Sequence, residues 1–148
     1  EGVRIGEKTY PCRKRRVSDV TALLHDPLEG EEPGGRAWPK GGTVWEHETL
    51  GVLKVETSMT ARGQTATRTQ VVTNLDVPRL VGDRALSCRE LTWSTNMLGG
   101  KTVRLVSPAV PGRTVLTTGT VEQGPITMTH RRELVGLTIR PASSDAPR

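Results

Sequence analysis

The chain predicts an all-β domain, an internally duplicated antiparallel barrel or two-sheet sandwich of about eight strands whose halves are related by a pseudo-twofold. Three observations carry that expectation. Apolar and polar residues alternate with a period of two over several short runs, the spacing of half-buried strands. The composition is poor in aromatics, with no Phe, one Tyr and three Trp, and Thr, Val, Gly and Arg are abundant. A nine-residue motif is written twice, Ile-Gly-Glu-Lys-Thr-Tyr-Pro-Cys-Arg at residues 5–13 and Val-Gly-Asp-Arg-Ala-Leu-Ser-Cys-Arg at residues 81–89. No run of ten residues keeps the three-and-four spacing of a helix, and Pro27 would stop the one candidate, residues 17–28.

Further anchors follow the motif in the same order, the signature of a repeat. Gly42-Thr43-Val44 recurs as Lys101-Thr102-Val103, each after a double glycine, and Gly51-Val52-Leu53 answers to residues 112–115 with a short offset. Residues 67–75 lie over residues 129–137, and each copy then reaches a β-branched residue and a proline, at Val77-Pro78 and at Ile139-Arg140-Pro141. One domain over residues 1–148 is therefore expected, made of repeats 3–78 and 80–141, with a long insertion at 22–42 and a polar tail at 142–148. Each half alone is too short to bury a sufficient core, so the two are expected to share one.

Taken in order, Val3 and Ile5 alternate with Arg4 before a turn at Gly6-Glu7, and residues 80–86 repeat that hairpin pattern. Residues 12–20 read as a strand whose basic side faces solvent. The insertion holds three prolines and a cluster of glycines, which forbid a regular element and make it a long loop. Residues 43–48 and 52–60 read as paired strands; in the second, Leu53, Val55, Thr57 and Met59 share a face opposite Lys54, Glu56 and Ser58. Residues 61–64 turn the chain into a strand over 65–73. The second copy places strands near 87–95, 101–106, 113–120 and 127–137, with a proline-stiffened connection at 106–112.

The formal charge of +5, mostly from arginine, permits contact with phosphates, anionic surfaces or acidic partners without choosing among them. No motif for specific nucleic-acid recognition is present, and the aromatics are too few for a stacking platform. No apolar run approaches the roughly 20 residues of a membrane-crossing helix. Arg13, Lys14, Arg15 and Arg16 are candidates for an anionic contact, against the plainer account of a charged face that blunts a sheet edge. Within the insertion Trp38, flanked by Arg36 and Lys40 and preceded by His25, is the candidate anchor for a protein partner, since exposed aromatics often anchor interfaces.

Cys12 and Cys88 hold equivalent motif positions. Either they meet across the pseudo-twofold as a disulfide, which would place the chain in an extracytoplasmic compartment, or they are two buried thiols packed as small apolar groups. Neither a Gly-x-Ser-x-Gly elbow nor a phosphate-cradling loop is present, and the spacing of His25, His47 and His130 and of the methionines supports no metal site. No catalytic residue, metal or cofactor is expected. The leading expectation is a non-catalytic interaction or structural module, an accessory subunit of a larger periplasmic or secreted assembly. The alternatives are a hollow barrel carrying a small apolar ligand and, less favoured, an enzyme with a site at the barrel mouth near Trp45 and His47.

Overall fold

The computed structural model describes residues 1–20, 23, 40–96, 99–110 and 114–136. Over these residues the chain is all β, as the alternation requires. Strands β1 (Gly2–Ile5) and β2 (Lys8–Pro11) form a hairpin of their own. Strands β3 (Arg13–Val17), β4 (Gly42–His47), β5 (Gly51–Ala61), β6 (Gln64–Val81), β7 (Arg84–Thr95), β8 (Gly99–Val106), β9 (Thr114–Gln123) and β10 (Ile126–Glu133) form one antiparallel sheet in sequence order.

The turns explain the meander. Gly6, Gly82 and Gly124 each sit first in a two-residue turn with φ near +60°, while the residue after each keeps a negative φ. This is the type II′ geometry whose twist matches the strands it joins. Between β5 and β6 both turn residues, Arg62 and Gly63, have positive φ, the type I′ form. Along the outer face of β5 and β6, Ser58 and Thr67, and Thr60 and Thr65, join hydroxyls at 3.1 Å across the ladder.

The expected closure into a barrel does not occur. Among the described residues β3 and β10 each pair on one side only, so the sheet ends in two edges. Both edges are largely exposed and both carry consecutive basic residues, Arg13 to Arg16 and His130 to Arg132, a device that opposes edge-to-edge pairing. Without closure there is no shared barrel interior about which two halves could be related by a twofold, and the strands simply follow one another across the sheet.

Apolar packing falls into three clusters. The β1–β2 hairpin brings Val3 and Ile5 onto Cys12, Trp45, Leu53, Val72 and Leu91. The far end of the β6–β7 hairpin brings Val81, Leu86 and Cys88 onto Leu105, Val110 and Val115. A smaller group unites Val20, Val44 and Val55. The cores are built from Val and Leu because a pleated surface favours branched side chains. Met128 is 54% exposed on the β10 edge.

The ladder registers of the two halves run in parallel. Ile5↔Lys8 and Val3↔Tyr10 match Val81↔Arg84 and Arg79↔Leu86. Arg15↔Val44 matches Leu91↔Arg104, Val44↔Val55 matches Arg104↔Thr117, and Val55↔Gln70 matches Thr117↔Arg132, which sets Val44 against Arg104, one residue away from the Val44 to Val103 alignment expected from the sequence. Even the irregularities correspond: β4 and β5 slip after Trp45↔Lys54, leaving Leu53 without a partner, and β8 and β9 slip after Leu105↔Leu116, leaving Val115. Such bulges bend a strand and sharpen its twist.

Candidate functional site

One face of the sheet concentrates buried polarity. A single row of paired residues crosses all eight strands: Arg15, Val44, Val55, Gln70, Trp93, Thr102, Gly119 and His130. The same face carries Thr57 and Arg68 on one side of that row, and Leu91, Arg104 and Thr117 on the other. Arg68 and Arg104 are 8% and 3% exposed, unusual for arginine. Polar groups buried this deeply need partners, and Arg68 Nε donates to Thr57 Oγ1 at 3.3 Å while Gln70 Nε2 donates to the carbonyl of Leu23 at 2.9 Å. Burial alternates along β6, with Arg68 and Gln70 in line with Ala66 and Val72. Their inward orientation needed the knowledge that this side is the covered one.

A cavity of about 180 Å³ lies on this face, lined by Val55, Gln70, Val72, Leu91, Arg89 and Val106 among others. It is smaller than the roughly 300 Å³ from which small-molecule sites begin. Arg89 is held at its rim by a 2.9 Å bond from Nη1 to the carbonyl of Leu50. Among the described residues that line it, no nucleophile is joined to a base.

Gly119 makes room for His130. A Cβ there would stand 2.5 Å from the imidazole Cε1 and 2.8 Å from Thr102 Oγ1. The ring therefore lies across the glycine, with its Nε2 buried and without a hydrogen-bond partner. Sequence reading missed this contact because the two residues meet only through the β9–β10 register.

The residues near the expected barrel mouth are spent on structure. Trp45 is 5% exposed, with the ammonium groups of Lys54 and Lys14 at 4.2 and 5.1 Å from its ring. His47 Nδ1 accepts from the backbone N–H groups of Thr49 and Leu50, closing the β4–β5 turn, and its ring meets Tyr10 edge-on. With no barrel there is no mouth for these two to line.

The basic run lies on β3, where the sequence put it. Lys14 pairs with Glu1 at 3.5 Å and Arg15 with Glu46 at 3.1 Å. Arg13 and Arg16 have no ion-pair partner among the described residues. Lys40 is exposed, and its carbonyl accepts from Val20 N–H at 2.8 Å, tying the ends of the insertion together beside β4. His25, Arg36 and Trp38 lie outside the described residues.

Cys12 and Cys88 are free thiols, each buried in a different cluster. They therefore pack as small apolar groups, and they no longer argue for an oxidising compartment. Burial pushes the Cys88 thiol up, with Arg79 opposing. Among the described residues no three His, Cys, Asp or Glu converge on a metal position, and no helix is long and apolar enough to cross a membrane.

Set against known protein families, curated proteins and solved structures, the chain matches none of them.

Proposed function

We propose that this is a non-catalytic structural or interaction module made of two equivalent units, residues 3–78 and 80–141, each giving four strands to the eight-strand sheet, that works by contact through its sheet edges and its 22–42 insertion. The observation that carries the reading is the corresponding pair of bulges at Leu53 and Val115. A bulge is a specific feature of a ladder, and here the flanking registers agree on both sides of it. The buried polar groups support the same reading, because Arg68 Nε is bonded to a hydroxyl and Gln70 Nε2 to a backbone carbonyl, in the manner of a fold.

Capture from the native source tests the contact surface. The intact chain should retain a partner that is lost on Trp38→Ala or on deletion of residues 28–39, with circular dichroism and melting temperature unchanged. Undiminished capture by both variants would remove the insertion from the proposal. The two-unit reading has its own test. A permuted chain with residues 80–136 placed before residues 1–79 should keep the ladder contacts of each unit by nuclear Overhauser spectroscopy, and loss of both units' ladders would end it.

A further inference from the structure

Within the chain the last strand of the first unit, β6, pairs with the first strand of the second, β7, over Arg68↔Thr95, Thr69↔Ser94, Gln70↔Trp93, Val71↔Thr92 and Val72↔Leu91. The counterpart of β6 is β10, and the counterpart of β7 is β3. These are the two strands left with an open edge. We propose that copies of the chain add to one another head to tail, β10 of one pairing antiparallel with β3 of the next in the register that joins β6 to β7. The proposal rests on the two-unit reading above.

The matched registers give the pairs without adjustment. Val71 corresponds to Glu133 and Thr92 to Arg16, so Glu133 of one copy faces Arg16 of the next. By the same steps Leu134 faces Arg15, Arg132 faces Val17, Arg131 faces Ser18 and His130 faces Asp19. Both edges are basic in composition, which ordinarily discourages pairing. In this register, however, no two like charges stand directly opposite. Opposite charges meet at Glu133 and Arg16, and Arg16 has no ion-pair partner within its own chain among the described residues. A slip of one residue toward Arg15 or Val17 forfeits that match and turns side chains to the wrong face. The contact joins two different surfaces, so it does not close on a pair and extends the sheet copy by copy.

Sedimentation of the purified chain at about 0.15 M salt should show masses rising in steps above the 16.1 kDa monomer as concentration increases. Arg16→Glu and Glu133→Arg should each weaken the association about tenfold, a cross-strand attraction having become a repulsion. An equimolar mixture of the two variants should assemble again, because the introduced glutamate then meets the introduced arginine at one junction and the native pair meets at the next. Arg16→Cys mixed with Glu133→Cys should cross-link under mild oxidation, and Arg15→Cys mixed with Glu133→Cys should not. A wild type that stays monomeric, variants that assemble as the wild type does, or a mixture that fails to recover would each overturn the proposal. None of these results bears on the permuted chain or the capture experiment, so the two-unit module stands or falls separately.

Discussion

Arg79 on β6 donates to Glu133 on β10, an ion pair that ties the far end of the β6–β7 hairpin to the last strand of the sheet. Arg131 also donates to Glu133, at 3.1 Å, and with Arg79 holds its carboxyl below the usual carboxylate range. Both partners of the Arg79 pair are about one-third exposed, so the ion pair contributes little.

Replacing both residues by valine, Arg79→Val with Glu133→Val, should leave the melting temperature nearly unchanged, since a partly exposed ion pair contributes little. Glu133→Val alone should lower it only slightly. The wild type should also lose an acid-side increment that Glu133→Gln lacks. The folded-state pKa is depressed, so the contribution is present above the ordinary carboxylate pKa and disappears as pH falls below about 4. Melting curves of the two proteins should converge there. Curves that stay parallel across pH would show that the carboxylate is not stabilised by its arginines.

Leu53 and Val115 are 1% and 0% exposed, each filling the bend made by its own bulge. Leu53→Ala should cost about 3 kcal/mol by leaving a cavity. Val115→Ala should cost about 2 kcal/mol, having less to remove. Chemical denaturation measures both. A cost under about 0.5 kcal/mol, the level of an ordinary surface change, would mean the bulge residue is not holding hairpin to sheet.

Much of this architecture was legible in the chain. The alternation from Leu53 to Met59 placed β5, and the repeated motif placed two hairpins that share a register. The bulges were not legible, because Trp45, Leu53, Leu105 and Val115 are ordinary strand residues until their ladders are known. Nor was the length of β6, which the reading ended before Asp76-Val77-Pro78 and which runs through to Val81. That half of β6 has β7 as its one ladder partner, so a proline without an N–H is tolerated there. The open edges escaped for a different reason. Closure depends on whether β3 and β10 meet, and neither strand's own residues state that.

Arg62 adopts φ +53° at the first position of the type I′ turn between β5 and β6. A side chain there costs about 1 kcal/mol that Asn or Gly largely avoids. Arg62→Asn should therefore stabilise the fold by up to about that amount in denaturant titration. Unchanged stability would mean the turn relaxes out of this geometry in solution.

Cys88 is 1% exposed and its thiol is raised by burial, while Cys12 lies 9% exposed in the other cluster. The thiolate is the reactive form, so burial and a raised pKa act together to leave Cys88 inert in the folded chain. Brief treatment with iodoacetamide at neutral pH should leave it unmodified in native protein and alkylate both cysteines in denaturant. Because the thiols sit in separate clusters, the unreduced protein should have the mass of the dithiol. A mass lower by two hydrogens, with no free thiol after unfolding, would place Cys12 and Cys88 within bonding distance and contradict the packing of both hairpins.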